Sequence, residues 1–273
     1  MSTKTVLVTG STDGIGLETA RKLAVLGHTV LLHGRSETKL ADALANVSSG
    51  DIAGTVKCYS ADLSRFGDVE DFARSVRDEH ASLDVLINNA GVFKTKDTRT
   101  PDGLDVRFMV NTIAPYLLTR RLLPSMPTDG RVVNLSSAAQ SPVDLGALTG
   151  TAKLSNNAAY AQSKLAITAW SRIMATELGD DGPVVIAVNP GSLLATKMVR
   201  QAYGMPGKDS SIGSDILVRA ALSDEFATAT GLYFDNDTGQ FDSPHKDALD
   251  PRKSAEIVSA VEAIIGEAVR STE

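Results

Sequence analysis

Short β-branched apolar runs separated by helical stretches recur along the whole chain, and this alternation limits the possible folds more than any other feature. The runs fall at 6–8, 30–32, 56–59, 85–87, 132–135, 184–188 and 232–234. Most are apolar on both faces, as strands are when a parallel sheet is covered by helices on each side. Helical patterning occupies 16–26, 37–44, 69–79, 103–123, 158–178 and 214–222, with a last helix at 254–268. Strand–helix repetition with right-handed crossovers predicts a doubly wound α/β sheet of about seven parallel strands. No linker, repeat or low-complexity tract divides the 273 residues, so one domain over 1–273 is expected.

Composition removes several function classes. A net charge of −6 argues against a nucleic-acid protein, which would carry a basic face. Cys58 is the single cysteine, so there is no internal disulfide or thiolate metal cluster. His28, His33, His80 and His245 are scattered without metal-ligand spacing, which predicts no metal and surface or strand-end positions. The N-terminus lacks a signal-peptide pattern, and no run of about 18 apolar residues is present. A cytoplasmic protein without a membrane anchor is expected.

The first strand ends in Gly10-Ser11-Thr12-Asp13-Gly14-Ile15-Gly16, where the first helix begins. Gly10 permits a tight turn, Gly14 a close backbone approach to a pyrophosphate, and Gly16 close helix–strand packing. The N–H groups of the helix start then face the anion. The spacing is Gly-x-x-x-Gly-x-Gly rather than Gly-x-Gly-x-x-Gly. Which dinucleotide follows from the end of the second strand, His33-Gly34-Arg35-Ser36. A carboxylate here would hold the ribose 2′-hydroxyl of NAD(H), and an arginine the 2′-phosphate of NADP(H). Arg35 and the Ser36 hydroxyl therefore favour NADP(H) over NAD(H). The bland alternative is a solvated Arg35 paired with Glu37.

Tyr160 and Lys164 stand four apart, on one face of a helix. A tyrosine of pKa about 10 is a poor base near neutrality, and an ammonium beside it favours the phenolate. Two stretches break the alternation, 138–157 and 192–213, and both follow carboxyl ends of strands, where ligands bind in open sheets. Met198, Tyr203 and Met205 in the second suit either an apolar substrate wall or the core of a mobile lid. Trp170 and Met174 suit a core or a subunit contact.

Further short patterns occur in order: Ala61-Asp62-Leu63, Asn88-Asn89-Ala90-Gly91, Asn111, Asn134-Leu135-Ser136-Ser137, Tyr160-Ala161-Gln162-Ser163-Lys164, and Asn189-Pro190-Gly191 with Thr196 beyond. With the glycine turn, they resemble the classical short-chain dehydrogenase/reductase family over residues 4–234. The long interval between Ser137 and Tyr160, and Gly231-Leu232-Tyr233-Phe234 near the end, are closer to its retinol-dehydrogenase-like and WW-domain-oxidoreductase-like branch.

The resemblance implies a Rossmann-type fold and a hydride exchange between NADP(H) and a small, moderately apolar alcohol, aldehyde or ketone. It implies a catalytic tetrad of Asn111, Ser137, Tyr160 and Lys164. Tyr160 would be the general acid/base and Lys164 would tune it. Ser137 would bind the substrate oxygen, and Asn111 would place a water. Asp62 and Leu63 would meet the adenine. Asn89, Ala90 and Gly91 would line the riboses, and Pro190, Gly191 and Thr196 the carboxamide. Asp13 stands where many NADP(H) members carry a basic residue. By analogy, the helices at 103–123 and 158–178 would form the face of a homodimer or homotetramer. A non-catalytic NADP(H) sensor that kept the fold is the competing class, and the intact tetrad disfavours it. A sugar-nucleotide epimerase or dehydratase is disfavoured by the glycine spacing and the short tail.

Overall fold

The computed structural model describes residues 2–195, 204 and 207–270. The strands are β1 (Thr5–Val8), β2 (Thr29–Gly34), β3 (Thr55–Ser60), β4 (Val85–Asn88), β5 (Arg131–Leu135), β6 (Val184–Asn189), β7 (Tyr233–Asp235) and β8 (Gln240–Asp242). They form one sheet in the order β3-β2-β1-β4-β5-β6-β7-β8, and only the β7–β8 pairing is antiparallel.

The two-sided apolar runs now have a direct cause. Val6 and Val8 enter one core and Leu7 the other; Val30 and Leu32 oppose Leu31 in the same way, as do Val85 and Ile87 against Leu86. Each is essentially solvent-free, and burial of such a side chain is worth about 1.5–3 kcal/mol. One core lies under α1 (Gly14–Val25), α2 (Glu37–Ser48) and a later helix at Ser211–Leu222. The other lies under α3 (Phe66–Glu79), α4 (Val106–Phe108), α5 (Ala114–Leu122), α6 (Leu145–Leu148) and α7 (Asn156–Leu178). The chain continues as α8 (Ser211–Leu222), α9 (Lys246–Leu249) and α10 (Pro251–Arg270).

The structure departs from the sequence expectation in several places. An eighth strand follows the predicted seven. Gln240-Phe241-Asp242 is exposed and mostly polar, so it lacks the two-sided apolar signature. It is held by pairing to β7 and by Phe241, whose ring lies 5.2 Å from those of Phe226 and Phe234. The single helix expected at 103–123 starts at Val106 and carries a π-helical turn, Met109–Ile113, before α5. Within the stretch read as irregular, Asp144 caps a short helix at Leu145–Leu148, and Ser155 caps α7. Trp170 and Met174 are fully buried in the core that α10 helps to close. Thr196, Met198, Tyr203 and Met205 lie outside the described residues.

Candidate active site

The carboxyl ends of β1, β2, β4, β5 and β6 open onto a cleft of about 640 Å³, within the usual size range for a ligand pocket. It runs across the point between β1 and β4 where the strand order reverses, the expected ligand position in a doubly wound sheet.

At one end lies the glycine turn. Gly10 takes φ +64°, and a Cβ there would come within 2.8 Å of the Ala90 backbone. A Cβ on Gly16 would strike Asn89 Nδ2 and the Gly10 carbonyl at 2.4 and 2.5 Å. Gly14, at φ +56°, starts α1, with the Asp13 carboxylate accepting its N–H at 2.7 Å. The next N–H groups of the helix start have no intrahelical acceptor. Backbone donors and absent side chains make a cradle that fits a pyrophosphate. Asp13 acts as the helix cap at its edge.

Several predicted residues support the turn from behind. Asn89 Nδ2 donates to the carbonyls of Thr9 and Gly10 at 2.8 and 3.1 Å, and the Ala90 N–H donates to Thr9 Oγ1 at 3.0 Å. Ser11 is fully buried, and its hydroxyl accepts the His33 N–H at 2.9 Å. Ser11 therefore ties β1 to β2, and its side chain is absent from the cleft wall. Ser36 caps α2 by accepting the Lys39 N–H at 3.4 Å and also stands off the wall. Thr12, Asp13, Gly14, Ile15, Arg35, Asp62, Leu63, Gly91, Pro190 and Gly191 do line it. Arg35 is exposed and makes no ion pair among the described residues, so the pairing with Glu37 is not formed. Asp62 Oδ1 accepts from the Ser64 N–H and hydroxyl at 3.0 and 2.8 Å.

His33 is next to last in β2, in keeping with the strand-end position expected, and it is buried, with its ring stacked 4.7 Å from Phe72. Its Nδ1 accepts the Gly10 N–H at 3.1 Å, which leaves Nε2 to donate to the Ala61 carbonyl at 3.1 Å. One ring thus joins the loops after β1, β2 and β3. Burial lowers its pKa to about 4. His28 is buried too, and its Nδ1 accepts the Lys4 N–H at 3.2 Å. No motif spacing marks these roles, although a histidine inside an apolar strand is itself a signal of an internal partner.

At the other end of the cleft stand Ser137, Tyr160 and Lys164. A buried polar ladder fixes α7 there. Asn88 Nδ2 donates to Asn134 Oδ1 at 2.8 Å, Asn134 Nδ2 donates to Ser171 Oγ at 2.8 Å, and the hydroxyls of Ser136 and Thr168 meet at 2.6 Å. Ser136 is thus tied to α7; both serines border the cleft, and the Ser137 hydroxyl accepts the Ala139 N–H at 3.1 Å. Lys164 is buried, and its Nζ donates to the Leu135 carbonyl at 2.7 Å and lies 5.7 Å from the centre of the Tyr160 ring. Burial lowers its pKa to about 8. Phe93 packs edge-on to Tyr160 at 4.8 Å. Asn111 sits in the π turn, its Oδ1 accepting the Val92 N–H and its Nδ2 donating to the Val92 carbonyl and to Ser163 Oγ. The empty Cβ position of Gly91 lies 3.5 Å from Asn111 Oδ1 and 3.7 Å from Lys164 Nζ, so the glycine leaves open space beside both.

This arrangement of glycine turn and Tyr–Lys pair coincides with a family match: the short chain dehydrogenase family model covers residues 4–206. The chain belongs to that family. This short-chain dehydrogenase/reductase is 32% identical over 252 residues to human retinol dehydrogenase 13, covering 85% of this chain and 76% of that one. It falls in the retinol-dehydrogenase-like branch. An uncharacterized protein from Mycobacterium paratuberculosis superimposes with a TM-score of 0.79 at 27% identity, over 96% of this chain and 93% of that one. Angucycline C-6 ketoreductase LanV, solved with bound NADP, gives 0.69 at 27% identity, over 85% and 94%. The chain is thus an oxidoreductase of the short-chain type acting on small molecules. Among the described residues no helix is long and apolar enough to cross a membrane, and no cluster of potential metal ligands occurs.

Proposed function

We propose that this short-chain dehydrogenase/reductase exchanges a hydride between NADP(H) and a small, moderately apolar alcohol or carbonyl compound, with Tyr160 as the general acid/base. The observation that carries the reading is the joining of the glycine turn to Ser137, Tyr160 and Lys164 along one continuous cleft. Bound in it, NADP(H) would supply or accept the hydride.

The chain's own residues divide the remaining work. The N–H groups at the start of α1 hold the pyrophosphate, and the exposed, ion-pair-free guanidinium of Arg35 at the cleft rim takes the 2′-phosphate. Ser36 Oγ accepts the Lys39 N–H, which leaves its hydroxyl proton able to assist Arg35 at the phosphate. A relative solved with NADP, LanV, supports the preference. Asp62 and Leu63 flank the adenine, while Gly91, Pro190 and Gly191 line the opposite half. Thr196, outside the described residues, keeps its sequence-based assignment to the carboxamide.

In reduction the Tyr160 hydroxyl donates its proton to the substrate oxygen, and Ser137 Oγ hydrogen-bonds the same oxygen. The Lys164 ammonium stabilises the phenolate left behind. In oxidation the phenolate takes the proton back. Asn111 has both amide protons engaged, so its carbonyl oxygen is the group that would hold a water relaying protons to Lys164. Phe93 packs on Tyr160, and Val92, Val110, Ala139 and Leu193 add further apolar side chains to the cleft lining. That wall favours an uncharged, apolar substrate, since an unpaired charge there would lose its hydration. A cytoplasmic setting completes the reading, with Cys58 a free exposed thiol that reducing conditions preserve.

The test is Tyr160→Phe. Turnover of any carbonyl substrate found for the wild type should fall by at least about a thousandfold, as expected when a general acid is removed from a preorganised site. NADPH affinity should stay within about twofold. Retained turnover would remove Tyr160 from the mechanism.

A further inference from the structure

The turn that joins β7 to β8, Asn236-Asp237-Thr238-Gly239, lies against the loop that leaves β6. The Asp237 carboxylate accepts from Asn189 Nδ2 at 3.0 Å, from the Ser192 N–H at 2.9 Å and from the Ser192 hydroxyl, with Lys208 Nζ 3.8 Å away. The same Asn189 amide donates to Asp235 Oδ1 at 2.8 Å. Asn236 Nδ2 donates to the carbonyls of Pro190 at 3.0 Å and Ile212 at 3.3 Å, and its backbone N–H donates to the Asn189 carbonyl at 3.1 Å. One hairpin turn therefore grips a run of residues from Asn189 to Ser192.

The gripped loop has reason to need it. Its next residue, Leu193, takes φ +57°, a left-handed conformation that is strained for a residue with a Cβ. Pro190, Gly191, Ser192 and Leu193 line the cleft beyond the end of β6, whereas Asp237 does not. Burial alone would raise the Asp237 pKa, but the bonds from Ser192 and Asn189 outweigh it and hold the carboxyl below the ordinary aspartate value. It is a fixed anion whose acceptor positions are spent on the loop.

We propose that Asp237 is a positioning residue for the nicotinamide half of the cofactor, acting through Asn189 and Ser192. This rests on the NADP(H) reading above. The eighth strand then has a purpose: it completes the hairpin whose turn presents Asp235, Asn236 and Asp237 to the active-site loop. The adenosine half is cradled by different elements, the ends of β1, β2 and β3, and is independent of the turn.

That separation gives the test. Calorimetric titration of wild type, Asp237→Ala and Ser192→Ala with NADPH, and with adenosine 2′,5′-bisphosphate, compares the whole cofactor with its adenosine half. Asp237→Ala should raise the Kd for NADPH at least tenfold and leave the Kd of the bisphosphate within twofold. Ser192→Ala, which removes one hydroxyl donor, should give a smaller rise of the same kind, and it carries the test if Asp237→Ala fails to fold. Asp237→Asn, keeping one acceptor oxygen, should fall between. With a substrate in hand, KM for NADPH should rise more than kcat falls, and the pH profile set by Tyr160 should not move. Equal weakening of both ligands, or unchanged NADPH binding, would overturn the proposal. A wild type that binds the bisphosphate and NADPH equally would also overturn it, while a wild type that binds neither would overturn the NADP(H) reading itself.

Discussion

His33 shows how much one side chain can hold. As a neutral ring it accepts from Gly10 and donates to Ala61; a protonated ring has no acceptor left for Gly10. Its folded pKa of about 4 lies below the ordinary value of 6.5. A group depressed in this way contributes stability that is fully present above pH 6.5 and lost as the pH falls through about 4. A shift of this size corresponds to roughly 3 kcal/mol. Urea unfolding of wild type and His33→Asn at pH 7 and pH 4.5 should therefore show a steeper acid loss for the wild type. Parallel acid losses would mean that the ring does not titrate as its contacts require. The sequence reading missed this residue because it searched the histidines for metal spacing, and a single buried hydrogen-bonded ring has none.

Among the elements, the helix carrying Asn111 shows what periodicity hides. Apolar residues cover the stretch from Val106 to Leu122 so evenly that one extra residue in a turn leaves the pattern intact. The π turn at Met109–Ile113 nevertheless places Asn111 where its amide holds both backbone groups of Val92, just past Gly91. π turns of this kind occur mostly at functional sites. Asn111→Ala would leave the part-buried N–H and carbonyl of Val92 without their side-chain partner, destabilising the protein by about 1–3 kcal/mol. It should also lower kcat more than it raises KM, because the water that Asn111 is proposed to hold for Lys164 is lost. A variant as stable and as active as the wild type, by thermal unfolding and steady-state rates, would contradict the role given to this turn. That Ser137, Tyr160 and Lys164 border one cleft was legible because each sits in a short ordered pattern. The hydroxyl bonds of Ser11 to the β2 backbone and of Ser36 to the start of α2 were not legible, because the sequence shows proximity to the turn but not the direction of a hydroxyl.

For the whole molecule, α10 is the informative addition. Ile257, Val258 and Val261 join Trp170, Met174 and Tyr116 in one buried cluster. Glu262 accepts the Tyr116 hydroxyl at 2.6 Å and lies 3.5 Å from Arg120, which also pairs with Glu177 on α7. The helices named by analogy as a subunit face are thus covered in part by the chain's own helix. Light scattering should report the mass of a single chain at micromolar concentration; a stable dimer would show that another surface, or a displaced α10, makes the contact. The parallel sheet was readable from the sequence because each central strand feeds two cores, and Val6, Leu7 and Val8 alternate between them. Strand β8 was not, because an exposed edge strand needs no apolar alternation.

The central claim is that the cleft binds NADP(H), with Arg35 reading the 2′-phosphate. Side-by-side equilibrium titration of the wild type with NADPH and NADH at one ionic strength tests it most directly. NADPH should bind more tightly than NADH by more than about tenfold, or ~1.4 kcal/mol. Equal affinity, a preference for NADH, or binding of neither would contradict it.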